Sequence, residues 1–512
     1  MMTITPANMK ALETRFMDEY KIPGALLMEH AALGVAEAIA RYTDKGTAVF
    51  LCGPGNNGGD GYAAARLWKA MGGTSMIVEI TADARGDALL NRNLAVMANI
   101  PVYHTDDLDA IPPCDVIVDA LFGTGLSRAV DGDAEALIHW ANDRAEFHGC
   151  SIIAVDIPSG IDGTTGEVHG WEAIRATETV TFHRIKQGLL LGNAPDYTGK
   201  ITVQPILIPE GCDIDHDYDG LEILSPASLA ERFRRSQTCH KGDFGRVVLF
   251  CGSRGMAGAA ALCANAAMRA GAGLTTILCR ESLLPILQTL SPGAMCAVLP
   301  EKDGLLQPEA IEIARKTLDR ADAACIGCGL GQSTDAMPIL RLFAQAECPV
   351  VWDADALNLL AKHEDLLPLK EADVITPHPG EAARLLDCDV DEVAEDALAA
   401  LDRLHDLCGC TVLLKGARSL ISNSMESYCN LHASPALAKG GSGDVLAGII
   451  TALLARRHVE ADGSRLSGVK AAAYGALIHG LAGIRAAKLR GENCTLPTDV
   501  VDCIRLDAEG VD

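Results

Sequence analysis

The residues Gly440-Gly441-Ser442-Gly443-Asp444 run directly into the apolar stretch Val445-Leu446-Ala447-Gly448-Ile449-Ile450. Glycines let a backbone turn tightly and come close to a ligand. The apolar run predicts a buried helix whose unpaired N–H groups and positive dipole end face that turn. Such a place holds a phosphate or a developing oxyanion, and Asp444 stands where a carboxylate can take a proton from a hydroxyl. A plain turn at a helix start is the alternative for this stretch taken alone. A second set of chemistry-bearing residues lies in the first half. Asn56, Asn57 and Asp60 sit on a glycine frame, and Asp119 and Asp156 each follow an apolar strand-like run. A charge there is costly unless it is hydrogen-bonded or bound; helix capping is the bland reading of each. Asn57, Asp119 and Ser159 offer oxygen ligands only, which suits a hard cation rather than zinc. Cys325-Ile326-Gly327-Cys328 has C-x-x-C spacing, but no second such pair lies at zinc-site spacing. Cys325 falls in an apolar run, so these thiols are read as core residues.

The elements that must position these groups repeat as short apolar strand, glycine-rich loop, helix. Met9 to Tyr42 carries helical spacing broken at Pro23-Gly24 into two helices. Strands are predicted at Thr47–Leu51, Val116–Val118 and Ile152–Val155, with a helix over Tyr62–Met71. The alternation implies a mostly parallel sheet with helices on both faces, and ligands bind at the carboxyl ends of such strands. The pattern weakens from Pro209 to Arg235, including the acidic stretch from Gly211 to Asp217, which reads as a linker. A second series then starts with a strand over Arg246–Cys251 and continues through junctions at Gly327–Gly331, Asp353–Asp355, Thr376–Glu381 and Lys415-Gly416.

At 512 residues the chain exceeds one ordinary hydrophobic core, so two α/β domains are expected, 1–220 and 221–512. An apolar content of 49% with only 4% aromatics predicts aliphatic cores. The formal charge of -25 argues against a nucleic-acid partner. No export signal is read at Met1-Met2-Thr3-Ile4-Thr5, and the longest apolar run, Val445 to Ala455, is too short to cross a bilayer. Eighteen cysteines in such a chain fit a reducing cytoplasm. The expectation is therefore a cytoplasmic enzyme without membrane contact, and a homo-oligomer.

Three first-half motifs, in order, carry a resemblance: Gly53-Pro54-Gly55-Asn56-Asn57-Gly58-Gly59-Asp60-Gly61, Asp119-Ala120-Leu121-Phe122-Gly123-Thr124-Gly125 and Asp156-Ile157-Pro158-Ser159-Gly160. They resemble NAD(P)H-hydrate epimerase, which implies a Rossmann-like three-layer αβα domain that interconverts the R and S forms of hydrated NADH and NADPH. The resemblance implies substrate contacts at Asn56, Asn57, Gly58, Gly59 and Asp60. It implies further ones at Gly123, Thr124, Gly125, Leu126, Ser127, Arg128 and Ala129. Asp156 would be the acid–base group, a potassium ion would lie on Asn57, Asp119 and Ser159, and Lys186 would help place the substrate.

In the second half, Gly440–Asp444 resembles the anion-hole loop of the ribokinase-like superfamily. His240–Gly245, Gly252–Gly258, Asp353–Asn358 and Thr376–Glu381 narrow the match to the ADP/ATP-dependent NAD(P)H-hydrate dehydratases. The resemblance implies phosphorylation of the hydrate's hydroxyl by ADP, giving AMP, followed by loss of phosphate. Asp444 would take the hydroxyl proton, and the N–H groups around Gly441, Ser442 and Gly443 would stabilise the phosphoryl charge. Gly258, Gly331, His378 and Asp444 would contact the hydrated dinucleotide. Lys415, Gly416, Ala417, Arg418 and Gly443 would contact ADP, with Mg2+ entering on the nucleotide. Cys328 stands where relatives usually place a proline. Together the halves resemble the bifunctional NAD(P)H-hydrate repair enzymes of bacteria. The alternative is a ribokinase-like hydroxyl kinase whose N-terminal half is a non-catalytic binding module.

Overall fold

The computed structural model describes every residue except 127, 210–219, 458, 461–462 and 508–512. Ser127 and the acidic stretch 211–217 therefore lie outside the described residues. Contacts divide the chain into two compact units, Met1–Leu221 and Glu222–Asp512.

In the first unit the strands are β1 (Thr47–Cys52), β2 (Thr74–Glu79), β3 (Val102–His104), β4 (Val116–Ala120), β5 (Ser151–Val155), β6 (Glu178–Phe182) and β7 (Lys200–Gln204). They form a parallel sheet in the order β3-β2-β1-β4-β5-β6-β7. The parallel sheet agrees with the Rossmann-like domain that the resemblance implies, and the reversal between β1 and β4 is where such sheets bind ligands. The β1 side chains explain why the sheet is covered on both sides. Ala48, Phe50 and Cys52 join one core with the helices Pro6–Tyr20, Gly24–Ile39 and Asn56–Ala70. Val49 and Leu51 alternate into a second core with Leu137 and Ile138 of the Gly132–His148 helix.

One boundary differs from the sequence reading. The helix after β1 starts at Asn56, not Tyr62, so the asparagines and Asp60 lie in its first turns. Glycine makes this possible by allowing the helix to touch the sheet loop. A Cβ on Gly58 would meet the Gly53 carbonyl oxygen at 1.8 Å.

The second unit holds β8 (Arg246–Phe250), β9 (Leu274–Arg280), β10 (Met295–Leu299), β11 (Glu301–Lys302), β12 (Leu305–Leu306), β13 (Ala323–Ile326), β14 (Val350–Trp352), β15 (Val374–Ile375), β16 (Thr411–Leu414), β17 (Leu420–Ser422) and β18 (Ser427–Cys429). Its main sheet runs β10-β9-β8-β13-β14-β15-β16-β17-β18. Pairing is parallel through β16, and β17 and β18 then return antiparallel. The segment 222–235, read as part of the linker, is instead part of this unit. Glu222 bridges to Tyr428, and Leu229 and Phe233 are buried in its core. Its buried apolar residues, Ile223, Leu229 and Phe233, are too widely spaced to register as periodicity. Among the described residues no helix is long and apolar enough to cross a membrane.

Candidate active sites

In the first unit the loops after β1, β4 and β5 stand side by side because those strands are neighbours. Asp119 lies within β4, paired in register with Leu51 and Ala154, and is fully buried. It accepts the Ser159 hydroxyl at 2.6 Å and the Ser159 amide at 2.7 Å. Burial nevertheless raises its pKa to about 6, with the Ser159 bonds opposing. Asn57 Nδ2 donates to the Phe122 carbonyl at 2.9 Å, and the Ser159 hydroxyl lies 3.3 Å from that same oxygen. Two of the three predicted cation ligands, Asn57 and Ser159, thus meet at the Phe122 carbonyl, which side-chain motifs could not reveal, and Asp119 joins them through Ser159. The donor set is entirely oxygen, and a partly charged carboxyl beside neutral oxygens fits a weakly held hard cation.

Asp156 follows β5 in left-handed backbone, φ +65°. This is a strained conformation for a non-glycine residue and clusters at functional sites. Its Oδ1 accepts from Thr181 at 3.0 Å and the Phe182 amide at 3.2 Å, and lies 2.6 Å from Lys186 Nζ. Lys186 is only 1% exposed and also donates to the Phe182 carbonyl at 2.8 Å. Two further carboxyls share this charge cluster. Burial, followed by the charges of Asp156 and Glu13, drives the Asp60 pKa well above the carboxylate range. Burial also raises Glu13 to about 7, with Lys186 opposing and Asp156 adding. Glu13 comes from the first helix, 143 residues before Asp156 in sequence, and no motif marks it. The predicted loop at Gly123–Ala129 is more open. Gly123 and Leu126 are half-buried, while Thr124, Gly125, Arg128 and Ala129 are exposed.

In the second unit Ser442, Gly443 and Asp444 form the first turn of the Ser442–Ala455 helix, not a loop ahead of it. Gly441 caps that helix at φ +102°, a conformation that favours glycine. The turn faces a cavity of about 310 Å³ lined by Lys415, Gly416, Ala417, Ser442, Gly443 and His479, among others. Arg418 and Gly441, both predicted to serve the nucleotide, do not line it. Arg418 turns its guanidinium to the Leu431 carbonyl. His479 enters from the Gly468–Arg490 helix; burial lowers its pKa to about 4, so the ring is neutral. Its Nε2 has no hydrogen-bond partner among the described residues, and the sequence reading did not single it out.

On the other side of Gly443 lies a carboxylate pair. Burial pushes Asp444 up to about 9, with Cys328 and Asp353 beside it adding and Lys415 opposing. Asp353, at the end of β14, accepts Thr376 Oγ1 at 2.7 Å and Lys415 Nζ at 2.8 Å. Burial raises Asp353 as well, with Lys415 opposing. Asp353, which the sequence analysis names only within a strand-to-loop junction and a motif, is in the structure the hub that aims Lys415. His378 is exposed and caps the Pro379–Leu386 helix, its Nδ1 accepting from the Gly380 amide at 3.0 Å. It meets the centre only through Glu381, which accepts the His378 amide at 2.9 Å and lies 3.8 Å from Lys415. Gly331 donates its N–H to Asp355 at 2.8 Å. Its loop adjoins the one leading to Gly258, where Ser253 donates to the Gly329 carbonyl at 2.9 Å.

Two α/β units, each with buried carboxyls and a lysine at the carboxyl ends of parallel strands, define a two-site α/β enzyme chain. The family model described as NAD(P)H-hydrate dehydratase matches residues 247–506, and that described as YjeF-related protein N-terminus matches residues 24–188. The bifunctional NAD(P)H-hydrate repair enzyme Nnr of Moorella thermoacetica is 35% identical over 523 residues, covering 98% of this chain and 96% of that protein. Its Escherichia coli counterpart is 38% identical over 477 residues, covering 91% and 85%. A crystal structure of the ADP/ATP-dependent NAD(P)H-hydrate dehydratase of Bacillus subtilis, co-crystallised with ATP and Mg2+, is 24% identical with a TM-score of 0.46, covering 56% of this chain and 96% of that one. The chain belongs to the bifunctional NAD(P)H-hydrate repair enzyme family.

Proposed function

We propose that the chain repairs hydrated NADH and NADPH in two steps. The first unit interconverts the R and S hydrates, and the second returns the S hydrate to the reduced dinucleotide at the expense of ADP. Asp156 is the acid–base group of the first step. Epimerisation at a carbon bearing a hydroxyl and a ring nitrogen needs a proton delivered and removed by a positioned group. Lys186 Nζ lies 2.6 Å from Asp156, and burial raises Asp60 and Glu13, so both can hold protons for exchange beside it. Asn57, Asp119, Ser159 and the Phe122 carbonyl would hold potassium, which supplies a fixed positive charge near the substrate.

In the second step Asp444 accepts the proton of the hydrate's hydroxyl as its oxygen attacks the terminal phosphoryl of ADP. Burial makes its carboxylate a strong base once ionised, and Lys415 favours that form. The N–H of Gly443 in the helix's first turn would face the phosphoryl charge, that of Ser442 being taken by the Lys439 carbonyl at 3.2 Å, with Lys415 between cavity and carboxylates. Gly416 and Ala417 line the space for the nucleotide, which would bring Mg2+ to neutralise phosphate charge. Phosphate then leaves far more readily than hydroxide, and the ring double bond is restored. The single observation that carries this reading is Asp444, half-buried in the first turn of a helix beside Asp353 and Lys415, across Gly443 from the cavity that Lys415 lines.

The test is incubation of the full chain with ADP, Mg2+ and a mixture of hydrated NADH epimers. Recovery of the reduced-nicotinamide absorbance from both epimers supports the proposal. A stable phosphorylated hydrate, or no epimer exchange without nucleotide, overturns it.

A further inference from the structure

Cys251 follows β8, Cys263 lies in the Ala257–Arg269 helix, Cys325 is in β13 and Cys328 is in the loop after β13. All four are buried, and their sulfurs lie within 4.8 Å of one another, Cys263 and Cys325 at 4.0 Å. The convergence follows from the sheet. β8 and β13 are parallel neighbours with Leu249 opposite Cys325, so Cys251, two residues on, lies on the same face. The Ala257–Arg269 helix covers that face and contributes the third sulfur. Cys328 then closes the group as the chain leaves β13.

We infer that these four cysteines form a tetrathiolate site for a single soft divalent cation of the zinc class. A tetrahedral ion with metal–sulfur bonds of about 2.3 Å holds its sulfurs roughly 3.8 Å apart, close to what this group already provides. An iron–sulfur cubane carries its thiolates outside a metal core and needs them further apart. A buried cysteine is ordinarily a small hydrophobe, as Cys52 is in the first core. These four differ in that their sulfurs, from four separate places in the chain, all point at one spot. No other all-thiol group of three or more is so close among the described residues. In a reducing compartment such a cluster binds metal rather than forming disulfides. Binding releases the thiol protons to solvent and leaves the sulfurs as thiolates.

The ion would join the end of β8, the covering helix, β13 and the Gly327–Gly331 loop. That loop has positive φ at Gly327, Gly329 and Gly331, and Cys328 Sγ is 3.6 Å from Asp353 Oδ2. It would therefore act as a clamp on the floor beneath the carboxylate pair, without touching substrate.

The protein is purified without oxygen, its metal content measured, and the reduced chain titrated with Co2+. About one zinc-class ion per chain, or one Co2+ with sulfur-to-cobalt charge-transfer bands and a tetrahedral d–d pattern, supports the site. The signal should disappear in Cys263→Ala and in Cys325→Ala. X-ray absorption at the zinc edge of the unaltered chain should show four sulfurs at about 2.3 Å, which decides the matter even if both variants misfold. A reduced chain without metal that takes up no Co2+ overturns the inference. So do an unchanged cobalt spectrum in the folded variants and disulfides among these four cysteines in the protein as purified.

Discussion

Replacing Glu13 by Gln should stabilise the first unit, and only above acidic pH. Glu13 titrates near 7 in the fold against an ordinary value of 4.5, chiefly because burial disfavours its charge. The sign follows from linkage. A carboxyl raised on folding contributes stability fully present below its unfolded pKa and lost as pH rises through the folded one. The native chain therefore gives up stability between about pH 4.5 and pH 7, and glutamine, which cannot ionise, does not. A shift of about 2.5 units corresponds to roughly 3 kcal/mol at pH 8, an upper bound because the side chain is partly exposed. In a unit of this size each kcal/mol moves the melting temperature by about 2–4 °C. Calorimetry of the full chain should show the first unit's transition higher in Glu13→Gln at pH 8, by at most roughly 6–12 °C, with no difference at pH 4. An equal shift at both pH values, or a variant less stable at pH 8, would refute the idea that Glu13 is held against its charge. The same substitution should slow epimerisation, because it removes one of the proton-holding groups around Asp156.

Asp156→Asn should lose epimer exchange while S-hydrate dehydration continues, and Asp444→Asn should do the reverse; following each epimer by chromatography separates the two. Lys186→Met leaves Asp156 buried without its cation and should cost about 3–5 kcal/mol at neutral pH, read in denaturant melts. Asp119→Asn removes the one charged group among the proposed potassium donors Asn57, Asp119, Ser159 and the Phe122 carbonyl, so epimerisation should lose most of its response to added potassium in a salt titration. Lys415→Met should cut dehydration by at least 100-fold and weaken ADP binding, read by calorimetric titration, while epimer exchange is unaffected.

What the sequence alone determined is local. Each strand-to-loop junction announced itself by an apolar run meeting glycine and a polar group, because tight turns and close backbone approach leave few residue choices. Asp119, Ser159, Asp156, Lys415 and Asp444 were legible for that reason, and so was the parallel α/β architecture. Helix starts were less so: Asn56 and Ser442 open helices that looked like loops, since glycine is a poor helix former and only contact with the sheet justifies it there. The tertiary structure alone decided which distant groups meet. Glu13 reaches Asp156 and Asp60, Asp353 and Thr376 aim Lys415, the Phe122 carbonyl joins the oxygen donors, and four sulfurs converge between β8 and β13. It also decided how readily each carboxyl ionises. Desolvation depends on every atom packed around a group, and strand order and register set that packing from parts of the chain hundreds of residues apart.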